Sequence, residues 1–439
     1  MDGIEMNGNL PETFQDRIRR QLGDQLPAFL LAMEKPAEHG IRMNPAKPCE
    51  AAVRWMTADR ILWETNGWYL NQDETPGSTI WHEAGAFYLQ DPAAMIPVNV
   101  LDPKPGEYIL DLCAAPGGKA TQIGTAMKGK GLLVCNEPIP KRAQILSRNL
   151  ERMGILNAAA VCALPEQLAE KWPDGFDAVL VDAPCSGEGM FRKDKNTRDE
   201  WTKEKASGCA ARQKEILSAA ARLVRPGGRM VYSTCTFNPE ENEGNVEWFL
   251  KEHREWEIVP FRINGVDGSN GMITCWPHRM RGEGQFAALL KRNGIGTARI
   301  VTESCEPMIP GKDAEMIELQ FPGLPKATHR LGGTFIHLES CPDLKGIRVY
   351  RLGLHLGEIR GKTFFPDHAS AFVMREKMQN TELQERDALR YMAGEQTEGE
   401  EKGWTVVCCR RVPLGWGKGS GGVIKNHYPK GLWNTRLTV

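Results

Sequence analysis

The chain has 439 residues, 41% of them hydrophobic and 25% charged, and a formal net charge of −1. That length suits about three domains of ~150 residues. The balance excludes a protein that holds nucleic acid by bulk positive charge, so any such partner must meet a local positive field.

No apolar run approaches ~18 residues, so no membrane span is expected. The opening Met1-Asp2-Gly3-Ile4-Glu5-Met6-Asn7-Gly8 has no basic head followed by an apolar stretch. It therefore reads as carrying no secretory signal, and a cytoplasmic protein is expected. Twelve cysteines are scattered without a CxxC pair. That favours reduced thiols over disulfides or a zinc site, and no metal is expected.

Residues 1 to about 80 read as a small separate domain. Phe14 to Leu22 has helical spacing with a basic face. His39 to Asn44 is a short strand broken by Pro45, with Arg42 and Asn44 on one face, the pattern of a solvated edge. Trp55, Trp63, Trp68 and Trp81 read as core or inter-domain packing. Asp91 and Pro92 then cap and open a helix.

From about residue 88, strands alternate with helices, the mark of a parallel sheet covered on both faces. The first strand, Tyr108 to Leu112, runs into Cys113-Ala114-Ala115-Pro116-Gly117-Gly118-Lys119. A strand, a glycine turn and a helix bring a ligand close to backbone amides. The second strand, Leu132 to Asn136, ends at Glu137, 19 residues past the glycine pair. An acid at about 20 residues commonly takes ribose hydroxyls, while the G-x-G-x-x-G spacing is absent. The combination fits a nucleoside ligand without pyrophosphate, and S-adenosylmethionine answers that description. A helix over Pro140–Arg152 and a third strand near Ala158–Cys162 come next.

The strand Phe176 to Val181 delivers Asp182-Ala183-Pro184-Cys185-Ser186-Gly187. Cys185 alone reads as a small buried hydrophobe. Fifty residues on, the run Gly228 to Tyr232 delivers Ser233-Thr234-Cys235-Thr236. Between them lie the basic loop Phe191–Lys195 and an alanine-rich helix over Cys209–Val224. Asn238 to Glu243 caps and starts another helix.

Two thiols at strand ends beside a donor site suit one chemistry well. Cytosine C5 is a poor nucleophile until a thiolate adds to C6. Asp182 can hydrogen-bond the pyrimidine N3/N4 edge, one cysteine can attack, and the other can assist release.

From about residue 296 the character shifts to half-exposed strands, Gly332–Leu338 and Ile347–Leu352. Gly394–Glu401 is an acidic surface loop. Residues 404–439 carry Arg410, Arg411, Lys418, Lys425, Lys430 and Arg436 and no acid. Trp416, His427, Tyr428 and Trp433 are interleaved with them, as on nucleic-acid surfaces; a merely solvated basic domain is the other reading.

With Asp111-Leu112-Cys113-Ala114-Ala115-Pro116-Gly117-Gly118-Lys119, Asp182-Ala183-Pro184-Cys185-Ser186-Gly187 and Ser233-Thr234-Cys235-Thr236 in this order, the chain resembles the Nop/Sun family of RNA cytosine-C5 methyltransferases. Supporting matches are Arg42-Met43-Asn44, Tyr88-Leu89-Gln90-Asp91-Pro92, Glu240-Glu241-Asn242-Glu243 and Pro277 to Phe286. The C-terminal runs Val349 to Glu358, Pro413 to Lys418 and Lys425 to Gly431 resemble the bacterial branch that modifies small-subunit ribosomal RNA and ends in a PUA-like domain.

The resemblance implies an α/β fold: a Rossmann-like S-adenosylmethionine-dependent methyltransferase core, a small α+β N-terminal domain and a mostly β C-terminal PUA-like region. The expected boundaries are 1–87 for an N-terminal RNA-binding domain, 88–295 for the catalytic domain, 296–375 for a linker subdomain and 376–439 for the PUA-like domain. It implies Cys235 as nucleophile and Cys185 as the residue that helps break the adduct, with Lys119 and Asp182 at the donor and base site. Cys113, Ala114, Ala115, Pro116, Gly117, Gly118, Lys119, Glu137 and Asp182 would hold the cofactor, Glu137 through ribose. At the third strand's end the family places Asp or Asn near adenine. This chain has Cys162-Ala163, with Glu166 as a nearby substitute.

The implied partner is RNA, small-subunit ribosomal RNA first; the sequence leaves the oligomeric state open, with a monomer favoured. A transfer-RNA methyltransferase and an inert RNA-binding assembly factor are the alternatives. A DNA methyltransferase, which attacks from the Pro-Cys motif, is a third.

Overall fold

The computed structural model describes residues 10–56, 59–298, 300 and 311–439. The stretch Met1–Gly8, where a secretory signal would lie, and Cys305 are outside the described residues.

Helices α1 (Glu12–Leu22) and α2 (Leu26–Glu34) come first. Phe14, Ile18 and Leu22 recur every four residues, and α1 buries that stripe. Strand β1 (Gly40–Met43) lies between β2 (Gly67–Tyr69) and β3 (Phe87–Leu89), all antiparallel, with a short α3 (Ile80–Glu83) before β3.

The expected solvated edge at Arg42 and Asn44 is therefore wrong. β1 is central, and the two side chains are 1% and 3% exposed. Burial is tolerated because their donors are matched. Arg42 donates to Gln90 Oε1, the Gly118 carbonyl and Thr121 Oγ1, at 3.2, 3.0 and 2.8 Å. Asn44 donates to the Gly85 and Met153 carbonyls. The four tryptophans Trp55, Trp63, Trp68 and Trp81 are buried.

Asp91 Oδ1 accepts the Ala93 and Ala94 amides, as a cap should, ahead of α4 (Ile96–Leu101). The central domain then alternates β4 (Tyr108–Asp111), α5 (Gly118–Met127), β5 (Leu132–Asn136), α6 (Pro140–Met153), β6 (Ala158–Cys162), α7 (Pro165–Lys171) and β7 (Phe176–Asp182). After α8 (Lys195–Asp199) come the long α9 (Lys203–Leu223), β8 (Val224–Thr234) and α10 (Glu243–Glu252). Short strands β9 (Trp256–Ile258), β10 (Phe261–Ile263), β11 (Val266–Gly268) and β12 (Met272–Cys275) lead to β13 (Gln285–Arg292).

Further on lie α11 (Gly311–Gln320), β14 (His329–Leu331), β15 (Thr334–His337), β16 (Arg348–Leu352), β17 (Leu354–Arg360), β18 (Thr363–Pro366) and α12 (Ala371–Met374). The chain ends with β19 (Asn380–Leu383), α13 (Glu385–Met392), β20 (Thr397–Glu398), β21 (Gly403–Cys409), β22 (Val412–Ser420) and β23 (Val423–Asn426).

The main sheet runs β12-β13-β8-β7-β4-β5-β6-β16, with β9 also on β13. β4 to β8 are parallel, while β13 and β16 join their neighbours antiparallel. Segment 296–375 thus lends β16 to the catalytic sheet. Alternation splits each strand between two cores. Leu110, Val179, Val181 and Tyr232 face α7, α9 and α10, whereas Ile109, Ala178, Leu180 and Val231 face α4, α5 and α6. The chain builds outward from β4 to β6, then returns to add β7 and β8 on the other side. That reversal opens a crevice at the carboxyl ends of β4 and β7, where such sheets bind ligands.

Two local expectations change, and one side chain of the basic loop proves to be buried. The helix expected from Asn238 starts only at Glu243; Asn238 Oδ1 accepts the Glu240 amide in a turn, and Glu241 is buried. Arg192 of the basic loop turns inward to Glu283 at 2.6 Å. In the C-terminal sheet β19-β21-β22-β23-β20, Trp416 and Tyr428 are core residues rather than stacking platforms. Trp416 donates to the Asp367 carbonyl, and its own carbonyl accepts the Tyr391 hydroxyl. His427 and Trp433 stay exposed among the cations. This sheet shares a core with the N-terminal domain through Trp68, Trp81, Tyr391 and Leu414.

Among the described residues, no helix is long and apolar enough to cross a membrane, and no group of three or more His, Cys, Asp or Glu could hold a metal ion.

Candidate active site

The crevice is lined by the loops at the carboxyl ends of β4, β5, β7 and β8. After β4 the chain turns through Cys113–Gly117 into α5. Gly117 takes φ +117°, a conformation L side chains rarely adopt. The loop is braced from three sides. Arg142 donates to the Ala115 carbonyl, Asn149 to the Pro116 carbonyl and Arg42 to the Gly118 carbonyl. A Cβ on Gly118 would meet Tyr88 at 3.3 Å. Just before the loop, Asp111 is fully buried and neither carboxylate oxygen has a hydrogen bond. Burial first, then the Asp182 charge, push its carboxyl up to about 8.

Asp182 ends β7 and pairs in register with Ser233 of β8. Its Oδ2 lies 2.8 Å from Lys119 Nζ, and its Oδ1 accepts the Ser233 hydroxyl at 2.6 Å. Burial acts to lower the Lys119 ammonium, but the Asp182 carboxylate and the Cys235 sulfur outweigh it and hold the proton more firmly than usual.

Cys185 and Cys235 come just after these two adjacent strands, and their sulfurs lie 3.2 Å apart. The Cys235 amide donates to Cys185 Sγ at 3.3 Å. The contact with Cys235 and then burial hold the Cys185 thiol well above its ordinary range. Parallel pairing of β7 with β8 is what brings two cysteines fifty positions apart into contact.

The structure thus gathers Lys119, Asp182, Cys185 and Cys235 at one point. Cys113 to Gly118 and Glu137 line the neighbouring side of the crevice. Glu137 is buried at the end of β5, with Oε1 on the Ile139 amide and Oε2 3.2 Å from Arg142. At the end of β6, Cys162 Sγ donates to the Pro138 carbonyl, and the Ala163 amide is taken by Asn136. Glu166 is exposed on the first turn of α7.

Several residues escape the reading of single motifs. Ser186, Thr236 and Glu241 form a hydrogen-bonded link beneath the thiols. Ser233 orients Asp182, and Asp111 lies fully buried just before the glycine loop, under the influence of the Asp182 charge. Each sits inside one of the conspicuous motifs, but its role depends on a neighbour fifty or more positions away.

A parallel sheet with this glycine loop, and two thiols beside a carboxylate–ammonium pair, defines a Rossmann-like methyltransferase. The model of 16S rRNA methyltransferase RsmB/F matches residues 98–291. The N-terminal domain of 16S rRNA methyltransferase RsmF matches residues 10–92, the RsmF first C-terminal domain 318–374 and the RsmF PUA domain 379–433. Ribosomal RNA small subunit methyltransferase F of Escherichia coli O139:H28 is 30% identical, over 95% of this chain and 96% of that one. The protein of that name from Klebsiella pneumoniae is 29% identical, over 96% of each. A methyltransferase homolog from Pyrococcus horikoshii superposes with a TM-score of 0.56 at 28% identity, covering 64% of this chain and 95% of that one. The chain belongs to the RsmB/F family of 16S rRNA methyltransferases.

Proposed function

We propose that this chain methylates cytosine C5 in small-subunit ribosomal RNA, with Cys235 as nucleophile and Cys185 assisting release. The 3.2 Å contact between the two sulfurs, beside Lys119 and Asp182, carries this reading.

The crevice suits S-adenosylmethionine. Asp111 is a buried carboxyl with free oxygens, Glu137 offers a second acid on the ribose side, and the glycine turn admits a ligand against the backbone. Cys113 to Lys119, Glu137 and Asp182 would hold it. When bound, it supplies an electrophilic methyl group.

Cys235, its proton having passed to solvent, adds as the thiolate to C6, and the electron pair of the C5=C6 bond moves to C5, which takes the methyl. Asp182 holds the N3/N4 edge, and Lys119 holds Asp182. The C5 proton then leaves to a base at the Lys119–Asp182 pair. Its electron pair restores C5=C6 and expels the Cys235 sulfur, to which the Cys185 S–H donates. A base in a stacked helix cannot reach the thiol, so the target lies in a single-stranded or opened segment.

Bisulfite sequencing of ribosomal and transfer RNA, from cells with and without the gene, tests this. Loss of one protected cytosine in small-subunit ribosomal RNA is the expected result. Loss in transfer RNA would keep the chemistry and overturn the substrate. No change in either would favour an inert assembly factor.

A further inference from the structure

One buried carboxylate meets both thiol loops without lining the crevice. Glu241, six residues after Cys235, has no exposed surface. Its Oε2 accepts the Ser186 amide at 2.9 Å and Gln213 Nε2 at 3.0 Å, and its Oε1 accepts the Ser186 hydroxyl at 2.5 Å. Ser186 directly follows Cys185. Its oxygen also lies 2.8 Å from Thr236 Oγ1, directly after Cys235. Gln213 adds a bond to the Pro184 carbonyl at 2.9 Å. Residues on both sides of Cys185, and the residue after Cys235, therefore hang from one side chain.

A buried carboxylate costs several kcal/mol unless its surroundings compensate it. A neutral glutamine would fill the same volume and still accept a hydrogen bond, so the charge needs a reason. The surroundings of the two thiols supply one. After the contact with Cys235 and burial, the Glu241 carboxylate also acts on Cys185 and opposes its ionisation. The two sulfurs lie 3.2 Å apart, and the Ser186 bridge fastens the Cys185 loop to this anion.

We propose that Glu241 is a positioning residue that separates the roles of the two cysteines. Through Ser186 and Thr236 it sets their spacing, and its charge opposes ionisation of Cys185. This rests on the reading of Cys235 as nucleophile and Cys185 as release group. Cys185 then meets the departing sulfur as a hydrogen-bond donor rather than as a second anion.

Two measurements on the full chain test this. The first needs no RNA: alkylation of Cys185 by iodoacetamide is followed against pH by peptide mass spectrometry, in C235A and in C235A/E241Q. The midpoint should fall by about one pH unit when the charge is removed; an unmoved midpoint overturns the proposal. The second uses ribosomal RNA. E241Q should accumulate covalent adduct about tenfold over the unmodified chain while single-turnover methyl transfer falls less than about threefold. Equal loss of both overturns the proposal.

Should E241Q not fold, S186A keeps the carboxylate and removes the hydroxyl bridge. Diamide-driven disulfide formation between Cys185 and Cys235 should then slow about tenfold with the alkylation midpoint unmoved. An unchanged disulfide rate overturns the spacing role. A chain that never forms an adduct, yet shows the alkylation shift, would overturn the functional reading alone and support the charge effect.

Discussion

Arg17 of α1 places its guanidinium 2.6 Å from the Glu188 carboxylate, which is wholly buried three residues after Cys185. The same side chain donates to the Phe237 carbonyl, two residues after Cys235. One residue of the N-terminal domain thereby holds both thiol loops. Removing it leaves a buried charge unpaired, at a cost of about 3–5 kcal/mol. Arg17→Ala should lower the urea midpoint accordingly, and adding Glu188→Gln should recover part of the loss.

The thiol pair predicts opposite outcomes for two small changes. Cys235→Ala should abolish both methyl transfer and the protein–RNA adduct. Cys185→Ala should trap the adduct, seen as a slower band on a denaturing gel. An adduct that survives Cys235→Ala would assign the nucleophile to another residue.

Lys119 and Asp182 share one contact at 2.8 Å with the second Asp182 oxygen on Ser233. Proton-transfer and orienting groups of this kind contribute about 10²–10⁴-fold. Asp182→Asn should reduce the single-turnover rate within that range, with RNA affinity unchanged by filter binding. Ser233→Ala should give a smaller loss, because it acts only through Asp182.

Asp111 makes stability depend on pH. Its carboxyl is raised to about 8 by burial and by Asp182, whereas in an unfolded chain it titrates near ~4. The folded form therefore holds the proton more tightly. That stabilisation is complete below pH ~4 and is lost as the pH rises towards 8. Urea midpoints should fall between pH 5 and 8, and Asp111→Asn should flatten the slope.

Lys425 on β23, and Lys430 and Arg436 in the segment that follows it, stay exposed. If they touch phosphates, RNA affinity should fall with salt, and Lys425→Ala should reduce the log–log slope by about 1. An unchanged slope would mean that this lysine meets no phosphate.

The strand ends were legible in the sequence because buried parallel strands are unbroken apolar runs and glycine turns interrupt them. Phe176–Asp182, Tyr108–Asp111 and the loop Cys113–Gly118 stand out on those grounds alone. So did Asp91 as a cap, since capping is local. The buried state of Arg42 was not legible. Its alternation is the same for an edge and a central strand, and only the partners Gly118 and Thr121, more than seventy positions away, decide between them.

Trp416 failed for the same reason. An aromatic between cations has the composition of an RNA platform, yet β22 turns it inward against α12 and Tyr391. The joining of β16 to β6 likewise had no local signal, because pairing across almost two hundred residues depends on which sheet edge remains open.

The sequence by itself determined which chemistry-bearing groups exist and that Asp182, Cys185 and Cys235 lie at strand ends. It did so because hydrophobic runs, glycine turns and caps are short-range physics. Only the tertiary structure decided that Cys185 and Cys235 touch, that Glu241 is joined to both thiol loops through Ser186 and Thr236, and that Arg17 ties both loops to the N-terminal domain. Those are matters of through-space distance and burial, and charges acquire their effect only once strand pairing has set both.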